Sequence, residues 1–453
     1  MSALDRLTAA LEAVVGAEWL LTGTAAADYA VDGVTPSLAV FPADEAQVAA
    51  VLRLADEHQA AVMPRGGGSH SGLGNVPTRA DVVLSVQRLQ QQLAYEPGDM
   101  TTTVQAGLRL ADLQASLSQH GQFLALDPSA ADTTTVGGMV AANLSGPRRL
   151  LYGSARDLLL GCAVISLDGK RTKAGGRVVK NVTGYDLNKL YIGSLGTLAV
   201  IVELTWKVHP KPPGEQTLGI GATQRADLAD IRHMLMQLPL RLSSLALLNR
   251  AATVELTTPT GVALPEAPYL FLTRLEGTPE VLEHQVSVMA RALRELALTG
   301  AASTHTWQDD EAERLWQGLE AFPLTLAQTA PNSIVGKVSL RIADIPAYIE
   351  AMEAAAKASG TPWPLLVHAG HGVAYVRLTS GGTPEDLMLH LQALEACVKQ
   401  WQGHRVIEYA PLAIKRQIDV WGAPGDNFAL MHSIKMTFDP HRRLNPGRFL
   451  GGL

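Results

Sequence analysis

Cysteine is the scarcest residue of this chain: Cys162 and Cys397 are the only two among 453 residues. They are far apart and form no Cys-x-x-Cys pattern, so alone they hold neither an iron–sulfur cluster nor a cysteine-rich zinc site. Disulfide-free cytoplasmic residence is expected, with peripheral attachment at the inner membrane face only through partners. No run of about 18 apolar residues occurs, so no segment is predicted to span a membrane. Charge is sparse too. Charged residues make up 18% and the net charge is −6, which argues against nucleic acid or an anionic membrane as the main partner. No secretory leader is visible: MSALDRLTAALEAVVGAEWL carries Asp5, Glu12 and Glu18 and reads as an amphipathic helix.

Apolar residues, at 47%, and glycine, at 41 positions, are plentiful. The length suits two or three domains with sizeable cores. Asp44 is predicted to cap a helix bearing Val48, Leu52 and Ala55, and a short strand Ala61-Val62-Met63 follows. That strand runs into PRGGGSHSGLGN, Pro64 to Asn75, with five glycines in nine residues. Successive glycines let backbone N–H groups converge on an anion, and a pyrophosphate is the expected guest. The pattern is neither a Rossmann fingerprint nor a P-loop. A second run, Thr133-Thr134-Thr135-Val136-Gly137-Gly138-Met139, repeats this chemistry with hydroxyls. Two such loops suit a dinucleotide, which must be held along its length. A third stretch, Gly176 to Pro210, packs Lys180, Asn181, Thr183, Tyr185, Asp186 and Asn188 between glycines, then alternates Leu198, Val200, Val202, Leu204, Trp206 and Val208 as a half-buried strand. Such a mix suits a pocket for a planar heterocycle.

Pro210, Pro212, Pro213 and Gly214 mark a domain boundary. Beyond it, helices are predicted at about 225–238, 278–298, 344–358 and 384–401. Strands are predicted near 242–249, 252–257, 268–274, 334–341, 364–368 and 372–379. This is an α+β texture with two βαββ-like units. The division is an N-terminal helical segment (1–35), a first domain (36–212), a second domain (213–424) and a C-terminal segment (425–453) that regains the texture of the first half.

Four segments resemble the FAD domain of the vanillyl-alcohol oxidase and p-cresol methylhydroxylase (PCMH) superfamily. They are PRGGGSHSGLG, DPSAADTTTVGGMVAANLSGPRRLLYGSARD, VVKNVTGYDLNKLYIGSLGTLAVI and KMTFDPHRRLNPGRFLGG. The last two are similar to the E-type subunits of bacterial glycolate oxidase. The resemblance implies a PCMH-type FAD-binding domain plus a ferredoxin-like α+β cap domain. It implies that Pro64, Arg65, Gly66, Gly67, Gly68, Ser69 and His70 cradle the pyrophosphate, with Thr134, Thr135, Gly137 and Gly138 opposite. Gly153, Ser154 and Asp157 would lie near the ribityl chain. Lys180, Asn181, Tyr185, Gly193, Ser194, Ile201 and Asn445 would line the flavin, the last returning from the cap. Some relatives carry a flavin-linked histidine in the first loop. Here His70 sits one residue later, so the FAD is expected to be non-covalent.

The D-type enzymes of this group carry His-x-Gly-Asp-Gly-Asn-x-His, whose histidines bind a divalent metal. In LVHAGHGVAYVRL this chain has His368 at the first place, His371 for the Asp and Tyr375 for the second His. Their Glu-His-Gly appears as Glu408-Tyr409-Ala410, with Lys415 downstream. A site of that kind cannot be rebuilt with phenols, so no metal is expected. His368, His371 and Tyr375 are instead candidates for a substrate or partner pocket. Arg341 and Arg377 are candidates for clamping a carboxylate. The resemblance implies an FAD-dependent oxidoreductase acting on a small 2-hydroxy acid such as glycolate or lactate. Its partners would be an iron–sulfur subunit and a D-type flavoprotein. The alternative is a flavin-binding relay or assembly subunit with no turnover of its own.

Overall fold

The computed structural model describes residues 2–177, 185–380 and 383–453. It resolves into two compact units. The first comprises 1–145, 154–211 and 415–453; the second comprises 146–153 and 212–414. The second unit thus ends at 414 rather than 424, and it takes in an eight-residue piece that sequence reading left in the first domain.

In the first unit, helix Ala3–Val15 starts in a Ser2/Asp5 capping box and buries Leu7, Leu11 and Val15. Helix Glu45–Glu57 is capped by Asp44, whose Oδ1 accepts from Gln47 N at 2.8 Å. It links strands Leu38–Val40 and Val62–Arg65, which both pair parallel with Val82–Ser85. Ligands favour the carboxyl ends of such strands, and the glycine loop begins at that end. A five-stranded antiparallel sheet follows, in the order Gln92–Glu96, Thr101–Gln105, Val200–Lys207, Leu159–Ile165, Arg171–Gly175. Its central strand is buried from Val200 through Trp206, not half-buried as the alternation suggested. Both faces are covered, and the polar residues find partners: Glu203 pairs with Arg171 and Lys173, and Thr205 Oγ1 lies 3.0 Å from Thr103 Oγ1. The C-terminal segment adds to the parallel sheet, since Val62 N donates to Arg443 O and Asn445 N to Val62 O. Helix Phe428–Phe438 supplies Lys435, whose buried ammonium pairs with Asp439 at 2.6 Å and donates to Thr197 O and Leu444 O.

The second unit is built on one eight-stranded antiparallel sheet. Its order is Ala302–Trp307, Glu215–Ala222, Tyr269–Glu276, Leu242–Asn249, Leu365–His368, Val373–Thr379, Ser333–Ser339, His404–Tyr409. Helices Arg250–Thr260 and Asp309–Thr329 join a core containing Leu256, Trp316, Leu326, Val335 and Tyr375. The strand expected at 252–257 is thus a helix. Its threonine-rich sequence suggests β structure, but Asn249 Oδ1 caps Ala252 N at 2.9 Å and the threonines bond back one turn. Four longer elements were not foreseen: helix Asp309–Thr329, which contains Pro323, the glycine-containing strand Glu215–Ala222, the largely exposed edge strand Ala302–Trp307, and the opposite edge strand His404–Tyr409.

Residues 146–153 are bound into this second unit by charge. Arg148 pairs with Glu276 at 2.7 Å and Glu215 at 2.6 Å, and the Tyr152 hydroxyl donates to Glu276. The Glu276 side chain is fully buried. Burial and that hydrogen bond push the Tyr152 phenol up to about 12.

Candidate functional site

Strand Val62–Arg65 delivers the first glycine loop onto the second. The two touch through bare backbone. A Cβ on Gly66 would lie 2.1 Å from Thr135 Oγ1, and one on Gly67 would lie 1.6 Å from the Thr133 carbonyl oxygen. Hydroxyls knit the contact: Ser69 Oγ is 2.9 Å from Thr134 Oγ1, and Thr135 Oγ1 accepts from Gly138 N at 3.2 Å. His70 is held at both ring nitrogens, 3.0 Å from Ser69 Oγ and 3.1 Å from Ser129 Oγ.

The loops open onto a cleft of about 980 Å³ including its mouth. Pro64, Arg65, Gly66, Gly67, Gly68, Ser69 and His70 line it, together with Thr134, Thr135, Gly137, Gly138, Ile201 and Asn445. Three polar atoms there are buried without a partner among the described residues: Arg65 Nε, Asn445 Oδ1 and Arg448 Nε. Burial lowers the pKa of Arg65, whose guanidinium lies 4.9 Å from the Tyr29 ring centroid. An unpaired cation and an unpaired carbonyl beside converging glycine backbone suit a ligand with a diphosphate and a ring that donates hydrogen bonds. The residues therefore fit FAD.

Sequence reading missed the support beneath this cleft. Arg448 donates to Asn75 O at 3.1 Å and to the carbonyls of Ser71 and Leu73. Asp32 accepts from both Arg448 and Lys415, and Lys415 also donates to Gly72 O at 2.8 Å. Loop 71–75 is thus fixed by cations from the C-terminal quarter. Arg448, in the segment already expected to return to the flavin, was the available signal; Lys415 had been noted only as lying downstream of Glu408.

Other expected flavin neighbours are placed differently. Ser154 and Asp157 cap the four-residue helix Ala155–Leu158 and do not line the cleft. Gly153 belongs to the second unit. Ser194 Oγ donates to Tyr191 O at 2.8 Å, Gly193 N donates to Val140 O, and Tyr185 is 95% exposed. Lys180 and Asn181 lie outside the described residues.

The second unit holds a polar cluster. The His368 and His371 rings stack at 5.1 Å, and Tyr375 meets His368 edge-on at 5.9 Å. Lys337, which sequence reading missed, lies opposite Tyr375 in the strand register, with Nζ 3.4 Å from Glu408 Oε1. Two candidates do not join. The Arg341 side chain is 68% exposed and pairs with Asp344, and Arg377 is engaged by Glu255 and Thr329. Tyr409 points its hydroxyl at Pro331 O, 3.0 Å away. Among the described residues, no three His, Cys, Asp or Glu side chains gather as a metal site.

Both imidazoles are kept neutral. Burial, then the charges of Arg149 and Lys337, lower His371 to about 4, and burial with neighbouring charge holds His368 well below its usual value. Unfolded, each titrates near 6.5. Below that pH the unfolded chain takes up protons that the folded histidines refuse, so stability falls as pH drops from about 6.5 to about 4. His371 should account for about 2 kcal/mol at pH 5. Urea midpoints near neutrality and near pH 5 should differ accordingly, and His371→Phe should flatten the difference.

With this geometry in place, similarity identifies the family. Residues 36–175 match the FAD binding domain, and residues 211–402 and 421–449 match the C-terminal domain of FAD linked oxidases. The chain belongs to the FAD-linked oxidases. It is an FAD-dependent oxidoreductase. Glycolate oxidase subunit GlcD of Bacillus subtilis (strain 168) is 25% identical over 91% of this chain and 88% of its own length. D-2-hydroxyglutarate dehydrogenase of Stutzerimonas stutzeri (strain A1501) is 24% identical over 91% of this chain and 90% of its own. An uncharacterized FAD-linked oxidoreductase of Mycobacterium tuberculosis (strain H37Rv) is 27% identical over 99% of this chain and all of its own length. The fold is that of p-cresol methylhydroxylase, with a TM-score of 0.75 at 16% identity, covering 98% of this chain and 96% of that one. This FAD-linked oxidase has no described helix long and apolar enough to cross a membrane.

Proposed function

We propose that this chain oxidises a small 2-hydroxy acid of the glycolate or lactate class at C2. The observation that carries the reading is the cleft where Gly66 and Gly67 meet Thr133 to Thr135 beside the unpaired Arg65 and Asn445. Relatives named for glycolate and D-2-hydroxyglutarate supply the substrate class. FAD bound in the cleft supplies the two-electron sink. Gly66, Gly67, Gly68, Thr134 and Thr135 would hold its diphosphate by backbone and hydroxyl groups, and Ile201 and Asn445 would serve the ring. The cofactor is non-covalent, because Ser69 and Ser129 already engage both nitrogens of His70.

Electrons then leave to another protein. Cys162 and Cys397 are free thiols, too few to ligate a cluster by themselves, so in this reading a cluster-bearing subunit takes the electrons, with oxygen or a quinone as the alternative acceptor. A D-type flavoprotein is the further partner in this reading.

The test is anaerobic. Purified chain, mixed with glycolate or D-lactate, should lose its visible flavin absorbance. Retained colour with both acids would favour a flavin-binding relay subunit, the role suggested by Tyr375 and Tyr409 standing where the D-type enzymes have imidazoles. Acid precipitation of the same sample should release all yellow colour to the supernatant.

A further inference from the structure

We propose that a groove of the second unit, at the start of helix Arg250–Thr260, binds the phosphate group of a small phosphate monoester. All of its residues belong to that unit, and none has a part in the proposed oxidation.

The groove has a volume of about 920 Å³ including its mouth, and Asn249, Arg250, Ala251, Glu353, Lys357 and Trp363 stand in its wall. Asn249 ends strand Leu242–Asn249 and caps the helix of 11 residues that follows. Its side-chain amide ties three segments together. Oδ1 accepts from Ala252 N at 2.9 Å and from Leu365 N at 3.1 Å, and Nδ2 donates to Trp363 O at 2.9 Å. Trp363 is thereby fixed against the first turn of the helix. The N–H groups of Arg250 and Ala251 precede the capped one, and no intrahelical carbonyl can reach them. A helix end of this kind attracts negative charge.

The Trp363 indole is a second and independent sign of a ligand. The residue is only 2% exposed, yet among the described residues its Nε1 has no hydrogen-bond partner. The neighbouring His390 ring, 5.1 Å away between centroids, leaves it unpaired, and His390 Nδ1 has no partner either. A buried N–H is costly to leave unmet, so a polar group must reach it from the groove.

The chemistry of the wall selects an anion. Arg250 and Lys357 are both exposed there. Glu353 is the one acid among the described residues of the wall, and its carboxylate is already engaged by the Tyr269 hydroxyl at 2.8 Å and by Arg225 at 3.6 Å. Two backbone N–H groups, an indole N–H, a guanidinium and an ammonium call for more acceptor oxygens than a carboxylate has. A phosphate monoester brings three such oxygens and nearly two negative charges. The open mouth leaves room for the group it esterifies.

Glycerol 3-phosphate is the probe, titrated calorimetrically into the FAD-loaded full chain so that the cradle of the first unit is already filled. It should occupy one site per chain with a Kd on the order of 1 mM, and tryptophan emission should change with the same midpoint. Arg250→Gln, at an exposed position, should weaken binding about tenfold. Trp363→Phe keeps a buried ring but removes the N–H; it should weaken binding about fivefold and abolish most of the emission change. FAD content per chain should be unchanged in both. Lys357→Gln, also at an exposed position, replaces Trp363→Phe should that variant fold poorly, with the same expected loss. Absence of saturation by about 20 mM in the wild type would overturn the inference, as would affinity within about twofold of wild type in these variants. Two further arms fix the ligand class. Acetate binding as tightly as the ester would overturn the choice of phosphate over carboxylate. Inorganic phosphate binding where glycerol 3-phosphate does not would overturn the choice of an ester over the free ion.

Discussion

Gly67→Val abolishes FAD binding while the second unit stays folded. The first side-chain atom beyond the backbone would stand 1.6 Å from the Thr133 carbonyl oxygen and 2.8 Å from its carbon. Neither is the tip of a flexible side chain, so the two loops must separate. Separation also parts Ser69 from Thr134 and removes the concavity itself. The clash is with the backbone of the opposing loop, so even Gly67→Ala should release most of the cofactor. Flavin absorbance per chain after gel filtration measures this, and circular dichroism checks that the fold survives. Gly98, where an added Cβ meets nothing within 4 Å, is the control position. Full flavin content in Gly67→Val would remove the first loop from the site.

Arg148→Met destabilises the second unit by about 3–5 kcal/mol, the usual cost of stranding a buried charge. Arg148 is the ion-pair partner of the fully buried Glu276 carboxylate. The Tyr152 hydroxyl donates to Glu276 but brings no charge. The melting temperature should fall on the order of 10 °C. The double variant Arg148→Met/Glu276→Gln should recover part of that loss, because the stranded charge is gone. Equal destabilisation in the single and double variants would show that packing, not charge, sets the cost.

The sequence was most legible where glycine and periodicity act locally. The loops at Pro64–Asn75 and Thr133–Met139 could be read because only backbone-rich segments accept a diphosphate so closely. Helices with clear apolar faces, such as Glu45–Glu57, could be read for the same local reason. What failed depends on tertiary context. Helix Arg250–Thr260 is rich in strand-forming residues, and its Asn249 cap overrode that preference. Strand Ala302–Trp307 lies exposed at a sheet edge and shows no apolar alternation. Lys337 was invisible because a lysine in a strand ordinarily faces water. Only the cross-strand register that brings it to Tyr375 and Glu408 gives it meaning. Arg377 drew attention as a cation, but its partner Glu255 is 122 residues away in sequence.

The supports of the first glycine loop also impose an order on synthesis. Ser71 and Leu73 leave the ribosome long before Arg448, whose guanidinium they share and which follows 377 residues after Ser71. Val62 likewise waits for Arg443 and Asn445 to extend its sheet. Contacts of such separation form late, because the intervening chain must be closed first. The nascent cofactor cradle is therefore incomplete until Arg448 has been made. Flavin capture then works as a check on how far synthesis has run: a polypeptide that stops short of Arg448 lacks the residue that draws the loop into shape, and it stays colourless.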